Sequence, residues 1–209
     1  MSADSPVQRQ RLPGWATGLV AFVVISYLAV YFGGISFLYL CKHATQKALD
    51  PAEIIRVARE IAQFPEPLPQ GFSFVYGLRF GPVNLVTLVH KPNGVEITIA
   101  SEQKSEALDA DSALKQASDM GVNLPSSDWL PHYTRFKSAK VKDNAEIAGE
   151  KMAYMVGEIG DDEHTQPGFL GCIVSKKTRK SILIFGIQPE GKSYNLDETL
   201  GVLKSIKQL

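Results

Sequence analysis

The sequence predicts an α+β protein: an N-terminal transmembrane helix, then an α/β/α-type domain with three helices and a mainly antiparallel sheet of about seven strands. The first observation is a stretch of 27 residues without a charge, Trp15–Cys41. The second is that runs of β-rich segments are interrupted by single amphipathic segments, which is typical of helices packed on an antiparallel sheet. The third is that the connections between neighbouring strand-like segments are too short for parallel crossovers.

Composition limits the protein to one ordinary domain and an anchor. The chain has 209 residues, of which 44% are hydrophobic and 21% are charged. Lys+Arg and Asp+Glu each number 22, so the formal net charge is zero. Nucleic-acid binding requires a concentrated basic surface, and so we expect no nucleic-acid partner. Cys41 closes the hydrophobic stretch and Cys172 lies in a strand-like run, so a disulfide between them is not expected.

The hydrophobic stretch predicts the domain organisation. It is longer than the ~20 residues that a spanning helix needs. A cleavable signal peptide has a shorter apolar core that ends in small residues, whereas Phe37–Cys41 is bulky throughout. We therefore predict an uncleaved anchor in contact with the lipid bilayer. The expected parts are a tail of residues 1–14, a transmembrane helix over 15–41, a juxtamembrane linker over 42–49 and a globular domain over 50–209.

Small residues recur on one face of the predicted transmembrane helix. Ser26, Ala29, Gly33 and Ser36 follow one another at spacings of three, four and three. Such a face lets a second helix approach closely, which favours self-association. The alternative is that these residues are merely common in membrane helices and serve no contact.

The first half of the domain predicts a helix and three strands. Asp50 can cap a helix that begins at Pro51, with Glu53 reaching back in a capping box. The predicted buried stripe of this helix is Ile54, Val57, Ala58 and Ile61. Three predicted strands follow the helix: Phe72 to Phe80, Val83 to His90 and Val95 to Ala100. Pro92-Asn93-Gly94 predicts a hairpin turn between the last two strands.

The second half predicts a helix, four strands and a final helix. A helix runs from about Asp109 to Met120, with Ala113, Leu114 and Ala117 as its apolar face, and Asn123 to Pro131 is predicted to be a loop. The predicted strands are His132 to Val141, Ile147 to Ile159, Gly168 to Ser175 and Ser181 to Ile187, with a turn at Asp143-Asn144. Asn195 to Glu198 reads as a capping box for a helix with Leu196, Leu200, Leu203 and Ile206 on one face.

This element order resembles the PsbP-like fold. The resemblance rests on the order itself, on the proline-rich exit into Gly71-Phe72, and on the long final hairpin before an amphipathic helix. It covers roughly residues 50–209 and rests on topology, without a sharp motif. It implies an extracytoplasmic α/β/α sandwich for binding or assembly, usually without catalysis, in a membrane-anchored bacterial-type protein. No functional residue of the family can be carried over to a position of this chain.

Two charged clusters are candidate sites. Asp161-Asp162-Glu163-His164 is the densest group of potential metal ligands, but adjacent residues on one turn seldom converge on an ion, so a solvated turn is expected. Lys176 to Lys180, with Lys137, Lys140 and Lys142, could touch anionic lipid head groups. The alternative is that the basic tip protects a hairpin edge.

No constellation of residues indicates catalysis. His43, His90, His132 and His164 have no local nucleophile partner, and Cys172 is expected to be a core residue. Gly77 to Gly81 lies in a strand and does not form a phosphate loop. We therefore assign no catalytic residue, no cofactor-binding residue, no metal ligand and no cofactor.

The function expected from these observations is a membrane-tethered, non-catalytic binding or assembly module of unknown protein partner. The alternative is a membrane-anchored hydrolase whose site is assembled from distant residues, which a buried pocket with two or more His, Asp or Glu residues would favour. Arg9 and Arg11 before the helix nearly balance Lys42, Lys47 and Arg56 after it. Following the resemblance, we expect a single-pass cell-membrane protein with an extracytoplasmic domain.

Overall fold

The structure is a computed structural model, and all the residues that it describes lie in the compact unit Gln46–Leu209. The described residues are 47–102, 109–120, 122–125, 131–160, 165–175, 177–189 and 191–209. The predicted transmembrane helix, Trp15–Cys41, and its small-residue face lie outside them. Among the described residues, no helix is long and apolar enough to cross a bilayer.

Three helices and eight strands form the described part of the chain. They follow in the order α1 (Pro51–Ile61), β1 (Phe72–Phe80), β2 (Val83–His90), β3 (Val95–Glu102), α2 (Ala110–Met120), β4 (Val122–Pro125), β5 (Pro131–Ile147), β6 (Glu150–Gly160), β7 (Thr165–Val174), β8 (Ser181–Ile187) and α3 (Leu196–Lys204). The predicted α+β class with three helices is confirmed.

The strands form one antiparallel sheet in the order β1-β2-β3-β8-β7-β6-β5-β4. The pairing of β3 with β8, from Glu96 opposite Ile187 to Glu102 opposite Ser181, joins the first three strands to the later ones. All other pairs are neighbours in the chain, as short connections require. The edge strands of the described sheet are β1 and β4.

The helices lie on both faces of the sheet. Successive strand residues point to opposite faces, so Met152 and Tyr154 join one apolar cluster while Ala153 and Met155 join the other. The first cluster takes its helical residues from α1 and α3, and the second takes Ala110, Ala113 and Leu114 from α2. The domain is therefore a three-layer arrangement of helix, sheet and helix.

Local sequence signals predict α1 closely. Its buried residues are Ile54, Val57, Ala58 and Ile61, the stripe that the 3.6-residue period indicates. The helix packs close to β1, since a Cβ added at Gly77 would lie 2.8 Å from the Cα of Ile54.

Both predicted capping boxes are half formed. Asp50 accepts a hydrogen bond from the backbone N–H of Ala52 at 3.0 Å, and Asn195 accepts one from that of Glu198 at 3.3 Å. The acidic side chains do not complete the boxes. Glu53 pairs with Arg56 on the next turn, and the carboxylate of Glu198 bonds to other residues. Each helix is therefore capped by its Asp or Asn alone.

Two predictions in the second half are wrong. The expected loop, Asn123 to Pro131, overlaps β4, whose four residues pair with the first four residues of β5. The expected turn at Asp143-Asn144 is strand, because β5 continues to Ile147 opposite Glu150 on β6. The chain turns instead at Ala148 and Gly149, with φ of 51° and 80°. Two successive positive φ values are what a tight two-residue hairpin requires.

Candidate functional site

The predicted charged clusters do not come together as one site. Asp161 to His164 lies outside the described residues, and among those that are described no group of three or more His, Cys, Asp or Glu could hold a metal ion. Lys140 on β5 pairs with Glu158 on β6 at 3.0 Å, an exposed contact between neighbouring strands.

Lys180 is a buried structural residue, which corrects its assignment to an exposed basic tip. Its Nζ donates hydrogen bonds to the backbone carbonyls of Glu60 at 2.9 Å and Ile61 at 2.8 Å. These carbonyls belong to the last turn of α1 and lack partners within the helix. Burial lowers the pKa of Lys180, while the Glu60 carboxylate partly opposes this. Lys180 therefore holds the end of α1 against the β7–β8 connection.

His90 lies in a polar cluster between the β2–β3 turn and the first turn of α3. Its Nδ1 is 2.8 Å from Oδ1 of Asn93 and 2.9 Å from Oε2 of Glu198. Asn93 also donates from its side-chain amide to Glu198 and accepts from the backbone N–H of Val95 at 3.0 Å. The backbone carbonyl of Asn93 accepts from Nε2 of Gln188 at 3.1 Å. These bonds tie three segments distant in sequence.

Packing against Phe72 and Gly71 encloses the rest of the His90 ring. The ring lies 4.6 Å from that of Phe72, centroid to centroid. A Cβ added at Gly71, whose φ is +87°, would lie 2.4 Å from Nε2 of His90. A glycine is therefore required there, and the nitrogen that would act as a base faces backbone. The geometry indicates a structural tie. His43 and His164 lie outside the described residues.

Cys172 packs in the apolar cluster beneath α2. It is 1% exposed, and burial raises the pKa of its thiol to about 12. A nucleophilic cysteine needs a lowered pKa and some exposure. The prediction that Cys172 is a core residue is confirmed.

A groove open to solvent lies beside α1, and sequence reasoning did not find it. We call it the α1 groove, a cavity of about 520 Å³. It is lined by Ile55, Ala58, Arg59, Gln63, Phe64, Pro65, Glu66, Leu68, Phe74 and Lys207. The lining comes from the outer side of α1, the proline-rich segment that follows, β1 and the C-terminal segment. Its volume lies in the range of small-molecule sites.

Exposed apolar side chains occur in this groove and on the chain segments that contribute to it. Ile55 in the groove is 42% exposed, Leu49 just before α1 is 47% exposed, and Val75 next to Phe74 is 39% exposed. Apolar side chains gathered in an open groove mark a binding site more often than a single exposed side chain does. Val141, 44% exposed on β5, is an isolated counterpart on another part of the sheet. The one available sequence signal was Ile55, which lies outside the buried stripe of α1.

The charged side chains that line the α1 groove differ in whether they form ion pairs. Arg59 and Glu66 form an exposed ion pair of 2.9 Å across the proline-rich segment. Lys207, in contrast, has no acidic partner within 4 Å among the described residues. The groove therefore combines an apolar lining with a cation, Lys207, that no acidic side chain of the described residues neutralises.

Comparison with known proteins adds no assignment. No family model matches the chain, and no curated protein matches it.

Proposed function

We propose that the protein is a membrane-tethered, non-catalytic binding module, and that the α1 groove is its binding site. The observation that carries this proposal is the open apolar lining, in which Ile55 is 42% exposed beside Phe64, Leu68 and Phe74. Leaving such side chains in water costs roughly 25 cal/mol per Å² of apolar surface. A bound partner that covers them recovers this free energy.

The tether in this proposal is Trp15–Cys41, whose 27 uncharged residues suffice to span a bilayer. The globular domain lies outside the cytoplasm, the side that the PsbP-like resemblance implies. Full-length protein should stay in the membrane fraction after carbonate washing. Release by the wash, or a shorter mature chain, would contradict the anchor.

A thiol reagent that cannot cross membranes tests the side of the membrane. A cysteine replacing Lys177, exposed between β7 and β8, should react in intact cells whose outer barrier admits the reagent. Cys41, at the domain end of the predicted anchor, is replaced by Ser in every protein tested. Cys172 gives little background, because it is buried and its pKa is raised to about 12. Labelling of Lys177→Cys only after lysis would place the domain in the cytoplasm.

The hydrolase alternative gains no support from the partly buried pair of His90 and Glu198. His90 and Glu198 resemble two members of a catalytic triad, in which a carboxylate orients a histidine. The other ring nitrogen, however, faces Gly71, where a nucleophile and a substrate would have to stand. The geometry therefore supports binding over catalysis.

Matched variants test the groove as the binding site. Ile55→Glu places a carboxylate in the apolar lining, and Val141→Glu makes the same change at a similar exposure elsewhere. Affinity capture from detergent-solubilised native membranes should recover a partner with wild type and Val141→Glu and lose it with Ile55→Glu. Equal recovery by all three proteins would remove the groove from the proposal.

A further inference from the structure

We infer that the α1 groove binds a single-chain amphiphile that carries one carboxylate head group. This inference rests on the proposed function and deepens it, since it names the ligand class of the same groove. Three features carry it: the aromatic lining, the unpaired cation, and the position of the groove in the chain.

The apolar part of the ligand is specified by the lining. Phe64 and Phe74 meet edge to face, with ring centroids 5.2 Å apart, and form a rigid wall. Leu68 and Ile55 extend the apolar surface on either side. These four side chains offer van der Waals contact, while the polar part of the lining of this groove of about 520 Å³ comes from Arg59, Gln63, Glu66 and Lys207. A flexible hydrocarbon chain matches such a lining better than a polar ligand does.

The head group is specified by Lys207. Its position is fixed by the backbone, because its N–H donates to the carbonyl of Gln63 at 2.9 Å, and Gln63 donates back to Gln208 at 2.7 Å. Arg59 is already neutralised by Glu66. Among the residues that the structure describes, Lys207 has no acidic partner, so it remains to pair with an anion.

The charge balance favours a monoanion over a phosphate monoester. A phosphate carries a charge of about −1.5 to −2 at neutral pH and takes several charged hydrogen bonds. Among the residues that the structure describes, the groove offers it only Lys207 as a cation without an acidic partner, because Arg59 is paired with Glu66. A carboxylate head group carries a single negative charge, which Lys207 alone can balance.

The chain itself supplies a source for the amphiphile. Leu49 lies eight residues after Cys41. A fully extended segment of that length spans at most about 28 Å. With the proposed anchor in a bilayer, the domain is held on a short tether at a membrane, where single-chain amphiphiles concentrate.

The test uses full-length protein in lipid nanodiscs and three photoreactive amphiphiles with the same chain. One has a carboxylate head, one is its methyl ester, and one has a phosphate monoester head. Peptide mapping should place the carboxylate probe on residues 55–74 and around Lys207. The carboxylate probe should label the groove about fivefold more than the methyl ester does, which is the factor in affinity that an exposed ion pair gives. Lys207→Glu should abolish this preference, and Lys204→Glu, on the last turn of α3, should keep it.

The outcomes separate the two proposals. Equal labelling by carboxylate and ester, stronger labelling by the phosphate, or adducts spread over the domain would each overturn the inference. The wild-type comparison of probes holds even where a variant does not fold. A protein partner captured through Ile55, without amphiphile labelling of the groove, would overturn the ligand class and leave the binding module. If neither an amphiphile nor a protein partner is found at the groove, both the proposed ligand class and the proposed binding site are contradicted.

Discussion

Nδ1 of His90, at the end of β2, lies 2.9 Å from Oε2 of Glu198, in the first turn of α3. The two residues are 108 positions apart in the chain, so this contact ties the C-terminal helix to the β2–β3 hairpin. Asn93 completes the tie by bonding to both side chains. The stability of α3 on the sheet should therefore depend on Glu198.

Glu198→Ala should lower the free energy of unfolding by about 1–2 kcal/mol, because His90 and Asn93 lose a partly buried acceptor. The control is Asp197→Ala, an exposed acid in the same helical turn. It removes a similar interaction with the helix dipole, worth about 0.3–1 kcal/mol, and no contact with His90. Urea unfolding of both variants measures the difference. Equal losses of unfolding free energy in the two variants would show that the contact between His90 and Glu198 does not stabilise the domain.

Gly77→Ala should destabilise the domain by about 1–3 kcal/mol, since the new methyl would meet the backbone of α1 at Ile54, 2.8 Å away. Gly201→Ala is the matched control, because a Cβ there meets nothing within 4 Å and the residue lies inside α3. The control should gain about 0.5–1 kcal/mol from helix propensity. Thermal unfolding of both proteins gives the comparison, and a neutral Gly77→Ala would contradict the close packing of α1 on β1.

Lys180→Met should lower stability by about 1–3 kcal/mol, because two carbonyls at the end of α1 lose a charged donor. Lys177→Met, at an exposed position of the same connection, should change stability by less than about 0.5 kcal/mol. Hydrogen exchange should show faster opening of the last turn of α1 in the first variant alone. Similar hydrogen exchange of the last turn of α1 in both variants would show that Lys180 does not hold this turn and belongs to the solvated tip.

The burial of Tyr194 predicts that the stability of the domain decreases at alkaline pH. Burial raises its pKa above the ordinary value of 10.0, although its hydrogen bond with Thr199 opposes the shift. Because the folded-state pKa is the higher one, the stabilisation is complete below pH 10 and is lost as pH rises above it. Tyr194→Phe should cost about 1 kcal/mol at pH 7, where the 2.7 Å bond to Thr199 is lost, yet lose less stability between pH 8 and 11. Parallel alkaline losses in both proteins would contradict this assignment.

Local pattern explains which elements could be predicted. β1 and β2 match their predicted bounds, and the buried stripe of α1 is correct, because periodicity and punctuating Gly and Pro act within a few residues. Asp143 and Asn144 misled the prediction, since their turn preference is outweighed by pairing with Tyr154 and Ala153 on β6. β4 was missed because a four-residue strand has too little periodicity to read.

The candidate site could not be predicted for a different reason. The α1 groove joins Ile55 to Lys207, residues 152 positions apart, and no local motif links them. The His90 tie is equally non-local. Of Glu198 the sequence predicted only a cap, whereas its carboxylate bonds to the β2–β3 turn. Such contacts follow from the strand order β3-β8, which periodicity does not reveal.

Site-specific photocrosslinking in native membranes tests the binding groove most directly. A photoreactive phenylalanine analogue is placed at position 55 in the full-length protein and, in a separate protein, at position 141, which is similarly exposed. Irradiation should give one adduct of defined mass at position 55, a few hundred daltons for an amphiphile or tens of kilodaltons for a protein, and little at position 141. Equal adducts at both positions, or none at position 55, would contradict the assignment of the α1 groove as the binding site.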